Sequence, residues 1–201
     1  MARTRLMTLF LAPAGAVALA SCGINSVPTA EEEVNARWAD VQNQYQRRAD
    51  LIGNLVSTVQ GAAAQERNTL REVTEARARA TQITLTPEQL SDPEAVRRFS
   101  QAQGQLSAAV LPLRQLQEAY PDLKTNQNFI MLQSQLEGTE NRIAVARGDY
   151  NQAVQAYNTR IRTFPDAIGA KIFHGAEPKV PFEAVTPGAE VAPTVDFGNG
   201  G

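Results

Sequence analysis

Apolar residues recur along most of the chain at alternating spacings of three and four, which is the period of helices that pack together in a bundle. The first stripe of this kind begins at Val34 and ends at Ile83, and its polar interruptions are Arg48, Glu66 and Thr69. It predicts one or two long helices. The stripe consists of Val34, Trp38, Val41, Tyr45, Arg48, Ile52, Leu55, Val59, Ala62, Glu66, Thr69, Val73, Ala76, Ala80 and Ile83.

Two further stripes follow, and each is preceded by signals that start a helix. Asp92-Pro93 places a capping side chain before a proline and predicts a helix over about residues 93–119, after a short turn at Thr86-Pro87. Thr125 is predicted to cap a last helix that ends before Pro165. The second stripe is Phe99, Ala102, Leu106, Val110, Leu113, Leu116 and Tyr120, and the third is Phe129, Leu132, Leu136, Thr139, Ile143, Ala146, Tyr150, Ala153, Tyr157, Ile161 and Phe164.

The fold class is therefore all-α, an antiparallel up-and-down bundle, with two arrangements left open for the first stripe. A reversal near Gly53 would produce four helices of similar length, and we favour it because it buries four apolar side chains. An unbroken first helix would produce three long helices and leave those four side chains as an exposed docking surface. They are Val34, Trp38, Val41 and Tyr45.

The N-terminus has the pattern of a secretory signal peptide over residues 1–21. A basic start precedes an apolar run over residues 6–20, which is shorter than the roughly 20 residues that a membrane-spanning helix needs. The run ends in the sequence LASC at residues 19–22. This sequence resembles the bacterial lipobox and contains the only cysteine of the chain.

Resemblance to bacterial lipoproteins implies cleavage between Ser21 and Cys22 and acylation of the Cys22 thiol with palmitate-type chains. The protein would then be attached to a membrane of the bacterial envelope, facing the periplasm or the exterior. Gly23 after the cysteine favours the outer membrane in a cell that has one. Residues 22–29 are predicted to be a tether, and Thr29 is predicted to cap the first helix of a bundle over residues 30–174.

Composition narrows the function further. The chain has 201 residues, a formal charge of −2, one cysteine and one histidine. Bulk charge does not favour nucleic acid as a partner, and so few Cys and His residues leave no metal site or cofactor to predict. We expect no catalytic residues, because His174 lies at the start of a Gly- and Pro-containing segment, residues 175–201, that is predicted to be disordered.

Polar residues on and beside the stripes are interpreted as a structural seam that fixes how the helices pair. They are Arg48, Glu66, Glu140, Asn141, Arg142 and Arg147. If the second and fourth helices run parallel, Glu66 and Arg142 are expected at comparable heights. Partner recognition is the alternative role for this set.

Several of these residues lie in segments that resemble the LemA family. The segments are YQRRADLI at residues 45–52, VTEARAR at 73–79, YPDLK at 120–124 followed by Asn126, Asn128 and Phe129, EGTENRIAVAR at 137–147, and the Tyr-Asn pairs at 150–151 and 157–158. The resemblance implies a helical bundle anchored in the envelope. Family members usually have Pro at the position of Gly53, which supports a break or kink there, and many are anchored by a transmembrane segment instead of a lipobox.

The leading functional hypothesis is a non-enzymatic, lipid-anchored envelope protein that acts as a scaffold or docking module for another envelope protein. The alternative is an accessory factor of a membrane-associated protease or quality-control enzyme. Self-association into a homo-oligomer is compatible with both hypotheses.

Overall fold

A computed structural model describes the backbone of residues 2–183 and the side chains of residues 25–183, and the described chain is all-α, as predicted. Four long helices form a bundle, and short helical turns connect or follow them. The helices are α1 (Ala2–Ala62), α2 (Arg67–Gln82), α3 (Pro93–Ala119), α4 (Pro121–Lys124), α5 (Gln127–Arg160) and α6 (Asp166–Gly169). A 3-10 turn at Glu88–Ser91 precedes α3, and a π-helical turn at Ala170–His174 follows α6.

The four long helices alternate in direction, which is the predicted up-and-down order. The Nε atom of Arg77 in α2 donates to the Ala49 carbonyl oxygen of α1 at 2.6 Å, so α2 returns along α1. At the far end of the bundle, the Tyr120 hydroxyl at the end of α3 donates to Glu66 at 2.7 Å. At the near end, Arg160 of α5 donates to the Ser26 carbonyl oxygen of α1.

The predicted reversal near Gly53 is wrong, because α1 continues through this residue and the chain turns between Ala62 and Arg67. A glycine inside a helix costs only about 1 kcal/mol relative to alanine, so it weakens a helix without ending it. Here it makes room for a neighbouring helix: a Cβ atom at Gly53 would lie 3.2 Å from Cζ of Arg77. Gly53 therefore marks a close approach of α2 to α1.

The starts of α3 and α5 show how local signals succeed and fail. Asp92 caps α3 as predicted, and its side chain accepts from the backbone N–H of Glu94 at 2.9 Å. Thr125 does not cap α5; the neighbouring Asn126 does, and its side chain accepts from the N–H groups of Asn128 and Phe129. An asparagine is at least as good an N-cap as a threonine, so the two positions compete and geometry decides.

The tether predicted over residues 22–29 is also wrong, because α1 continues through these residues. Thr29 caps nothing and donates instead to the Asn25 carbonyl oxygen one turn earlier, at 2.7 Å. Val27 is fully buried. The bundle therefore begins before residue 30.

The C-terminal segment departs from the prediction of disorder from residue 175. Residues 178–183, which we call the strap, have no regular secondary structure but lie against the bundle, and the Lys179 and Phe182 side chains are 6% exposed. The rest of the predicted tail, residues 184–201, lies outside the described residues.

The buried side chains form two clusters stacked along the bundle, with Arg48 lying between them in sequence. The hairpin half, around Leu55 and Phe129, is packed by all four long helices and is mostly aliphatic. The strap half, around Trp38 and Tyr150, is packed by α1, α3 and α5 together with the strap and the segment that follows α2. Because α2 has only 16 residues, non-helical chain takes its place in the strap half.

Candidate functional site

The strap closes the bundle over an aromatic cluster. The Phe182 ring stacks on Trp38 with centroids 5.9 Å apart and meets Tyr150 edge-on at 5.3 Å. Trp38 also contacts Phe99 at 5.3 Å, and its Nε1 atom donates to the Leu85 carbonyl oxygen at 3.1 Å. Such aromatic pairs stabilise by about 0.5–1.5 kcal/mol beyond the area that they bury.

Side chains of α5 hold the backbone of the strap. Asn151 pairs with Phe182 in both directions: its Nδ2 donates to the Phe182 carbonyl oxygen at 2.9 Å, and its Oδ1 accepts from the Phe182 N–H at 2.8 Å. Asn158 forms the same two bonds with Lys179, at 2.8 and 2.9 Å. Between them, the Tyr150 hydroxyl donates to the Val180 carbonyl oxygen at 3.0 Å.

The two asparagines fit an extended peptide because the distance between them along α5 matches the length of three residues of the strap. Seven residues of helix, from Asn151 to Asn158, rise about 10.5 Å, and three residues of nearly extended chain, from Lys179 to Phe182, cover about the same length. The strap runs antiparallel to α5. The strap contributes only backbone atoms to these bonds. The two asparagine side chains therefore recognise an extended chain by its shape and direction, independently of its side chains. We call Tyr150, Asn151 and Asn158 the clamp.

A buried lysine joins the strap to α1 and to the segment before α3. The Lys179 Nζ atom forms an ion pair with Glu31 of α1 at 3.0 Å and donates to the Pro87 carbonyl oxygen at 3.1 Å. The Val180 N–H donates to the Leu90 carbonyl oxygen at 2.8 Å. The strap thus fastens α1, α5 and the segment before α3 to one another.

Burial dominates the electrostatics of the tyrosines beneath the strap. It raises the pKa of Tyr150 well above its ordinary value. Burial, followed by the carboxylates of Glu31 and Glu177, raises the pKa of Tyr157 to about 12. The Tyr157 hydroxyl is buried and makes no hydrogen bond, whereas the Tyr150 hydroxyl bonds to the strap.

Arg48 lies where the two clusters of buried side chains meet, and it is 3% exposed. Its guanidinium donates to the Gln103 side chain at 2.5 Å, to the Gln103 carbonyl oxygen at 3.2 Å and to Ser107 at 3.0 Å. Glu140 of α5 completes the layer with an ion pair at 3.2 Å. Arg48 and Glu140 therefore form the polar layer that the sequence predicts between helices.

The remaining residues of the predicted seam have separate surroundings. Glu66 accepts from Tyr120 at the hairpin end, whereas Arg142 is exposed and donates to Thr139 at 3.0 Å. The expected equal height of Glu66 and Arg142 is wrong, because α5 runs antiparallel to α1 and places Arg142 near the Arg48 layer. Asn141 is exposed, and Arg147 lies over the Phe182 ring, 4.8 Å from its centroid.

The four apolar residues for which the sequence allows two roles are core residues. Val34 and Val41 are fully buried, and Trp38 and Tyr45 are 3% and 8% exposed. The favoured prediction of burial is confirmed, although the strap and α5 cover these side chains and a reversal at Gly53 does not. The alternative in which they form a docking surface is wrong.

The predicted lipidation and cleavage positions, Ser21 and Cys22, lie within the backbone of α1, and their side chains are outside the described residues. No helix in the described part of the chain is long and apolar enough to cross a membrane. Within residues 25–183, no three His, Cys, Asp or Glu side chains are grouped so that they could hold a metal ion. His174 lies on the surface, in the turn before the strap.

The fold and the clamp define an α-helical bundle protein that is closed by its own C-terminal strap. The model of the LemA family matches residues 37–197, which include the strap, and the chain belongs to that family. The resemblance noted in the sequence is thereby confirmed. Because the match continues past residue 183, the strap is part of the family's own domain.

Curated relatives are magnetosome proteins. Magnetosome protein MamQ 1 and Magnetosome protein MamQ 2 of Paramagnetospirillum magneticum are each 26% identical over 164 residues, covering 70% of this chain and 58% of theirs. MamQ of Magnetospirillum gryphiswaldense is 26% identical over 157 residues, with the same coverage. The chain thus spans little more than half the length of these relatives. Together with family membership, they support a LemA-type envelope or membrane protein.

Sequence reasoning missed the clamp, although one signal for it was visible. The repeated Tyr-Asn pair at a spacing of seven places both asparagines on one face of α5, beside the apolar seam. The sequence does not show that the strap binds to this face of α5. The strap has too few hydrophobic residues to establish a helical or strand spacing, and its prolines favour irregular chain.

Proposed function

We propose that this protein is a non-enzymatic envelope protein, anchored by lipid on Cys22, whose bundle is a scaffold or docking module for another envelope protein. The observation that carries this proposal is the continuity of α1, which runs from the lipobox-like residues 19–22 into the core of the bundle without a break. A lipid on Cys22 would therefore hold the whole bundle at the membrane, and the outer membrane is favoured in a cell that has one.

The buried polar side chains support a scaffold. Arg48, Lys179 and the two clamp asparagines each join separate parts of the chain. Each of them is thereby committed to holding the fold. A rigid bundle of this kind offers a fixed surface to a partner, and rigidity lowers the entropic cost of binding.

Replacing Cys22 with alanine tests the anchor. Intact-mass analysis of membrane-extracted wild-type protein should show a mature chain that begins at Cys22 and carries acyl mass. Cys22→Ala should keep residues 1–21 and carry no lipid. Ser21→Ala is the matched control, because it keeps a small side chain before the cysteine and should still be processed. A mature wild-type chain that begins at Cys22 without acyl mass would contradict the proposal.

Crosslinking tests the docking role. A photo-crosslinker at Val145, which is 64% exposed on α5, should capture a defined envelope protein in intact cells if this face is used. Arg71, exposed on α2, is a comparison site on another face. Capture of a protease or a quality-control enzyme would favour the alternative role as an accessory factor.

A further inference from the structure

The end of the bundle nearest the N-terminus exposes four large apolar side chains, which we call the end patch. Phe164 is 77% exposed, Ile168 52%, Ile172 69% and Phe173 65%. Ile168 of α6 and Ile172 of the π-helical turn are four residues apart, which is a spacing that places side chains on one face of a helix, and Phe164 lies in the turn that precedes α6. Large apolar side chains that are exposed within ten residues of one another favour a site of interaction.

The end patch lies beside the segment that leads to Cys22. The Arg160 Nη1 atom donates to the Ser26 carbonyl oxygen at 3.1 Å, and its Nε atom pairs with Asp166 of α6 at 3.7 Å. Ala170 is buried in the same cluster as Val27. Since α1 is continuous here, the Cys22 backbone is one helical turn, about 6 Å, beyond Ser26.

The segment that carries the end patch differs in charge from the whole chain, and the next ionisable side chain after it is the exposed Glu177. Residues 160–174 contain three basic side chains, Arg160, Arg162 and Lys171, and one acidic side chain, Asp166, which is already paired with Arg160. The chain as a whole has a formal charge of −2. The exposed cations next to the patch are therefore Arg162 and Lys171, which favour an anionic surface.

We propose that the end patch is a membrane-contact surface that inserts into the boundary between headgroups and acyl chains of an anionic bilayer. Aromatic and aliphatic side chains flanked by Arg and Lys are the composition of segments that lie in this interface. The proposal rests on the proposed lipid anchor, which would hold the patch next to the bilayer and raise its effective concentration there.

A thiol-specific fluorophore tests the contact in the full, lipidated protein. Acylation occupies the thiol of Cys22, so a cysteine introduced by Ile172→Cys would be the only free one. The labelled protein is reconstituted into vesicles of phosphatidylethanolamine and phosphatidylglycerol that contain doxyl-labelled lipid. Val145→Cys is the matched control, because Val145 is 64% exposed but lies in the middle of α5.

We expect a blue-shifted label at position 172 that doxyl lipid quenches several-fold more strongly than the label at position 145. Protein that floats with the vesicles but shows equal, water-like signals at the two positions would overturn the inference and leave the anchor intact. A shift at position 172 that depends on protein density and not on doxyl lipid would indicate a second copy as the occupant and would also overturn it.

A separate experiment distinguishes a failure of the proposed lipid anchor from a failure of the membrane contact. If mass analysis finds no acyl chain, the labelled Ile172→Cys protein is prepared with Cys22→Ser and mixed with phosphatidylglycerol vesicles. Doxyl quenching at position 172 that is lost at high salt would support the end patch without the anchor. No quenching at any lipid concentration would overturn it. The double variant Ile172→Ser/Phe173→Ser, altered only at exposed positions, should bind several-fold more weakly.

Discussion

The two halves of the bundle bury their side chains by different means. In the hairpin half, four helices cover one another with aliphatic side chains, and the helical period alone specifies the contacts. In the strap half, α2 has ended and two non-helical segments fill its place, so aromatic rings occupy the volume and side chains satisfy the backbone. A helix supplies its own hydrogen bonds, whereas a strap must obtain them from its neighbours.

The largest expected effect is in the hairpin half. Leu55→Ala removes a fully buried side chain from a site packed by helices and should lower the free energy of unfolding by about 2–5 kcal/mol. Trp38 lies in the other half, so its native emission should stay unchanged. Denaturant unfolding followed by far-UV circular dichroism measures the first effect, and tryptophan fluorescence measures the second. A changed native emission would show that the two halves are not independent in packing.

Arg48 tests the boundary between the halves. Arg48→Ala leaves the buried Gln103 side chain without its closest partner and should cost roughly 2–4 kcal/mol. Glu140→Gln should cost less than about 1 kcal/mol, because the Glu140 side chain is 46% exposed and Arg48 keeps its bonds to Gln103 and Ser107. Equal denaturant midpoints for Arg48→Ala and the wild-type protein would show that the layer does not stabilise the fold.

Phe182→Ala tests the strap half. It removes the ring that covers Trp38, and we expect the strap to detach locally while the helices stay folded. The cost should stay below the roughly 3–5 kcal/mol of a truncated core phenylalanine, because only the strap is lost. Trp38 emission should shift to the red, and iodide should quench it more strongly. Phe164→Ala is the control, since Phe164 is 77% exposed and does not belong to the buried cluster beneath the strap. This variant should change neither the emission of Trp38 nor its quenching.

The smallest effects separate the two buried tyrosines. Tyr150→Phe removes the bond to the Val180 carbonyl oxygen and should cost about 0.5–1.5 kcal/mol, whereas Tyr157→Phe removes a hydroxyl without a partner and should be neutral or stabilising. Denaturant unfolding at neutral pH compares the two variants. A Tyr157→Phe protein as unstable as Tyr150→Phe would indicate that the Tyr157 hydroxyl has a bond after all.

Alkaline pH provides a second measurement on Tyr157. The folded pKa is raised to about 12, so the unfolded chain loses this proton first, near its ordinary pKa of about 10. The free energy of unfolding should therefore fall as the pH rises from about 10 to about 12, and Tyr157→Phe should make that fall shallower. Identical pH dependence for the variant and the wild-type protein would contradict this explanation.

The sequence predicted local features of the fold better than tertiary ones, for physical reasons. Helical period and capping chemistry are local, so the seam of α5 and the cap at Asp92 could be predicted from short windows. The position of the first reversal depends on which residues can pack closely, and Gly53 proved to be a contact with Arg77. Prediction of the clamp would require knowing that residues 178–183 pack against α5. Nothing in the pattern of hydrophobic and polar residues in that segment indicates this contact.

The unbroken course of α1 has a mechanical consequence for an anchored protein. From Cys22 to Ala62 the helix spans about 60 Å, at a rise of 1.5 Å per residue, so the proposed anchor at Cys22 would hold the hairpin end at a set height above the membrane. A seven-residue flexible linker would let the bundle wander over roughly 15 Å in any direction. A stiff helix restricts both height and tilt. A partner would then be selected partly by how far above the membrane its own binding surface stands.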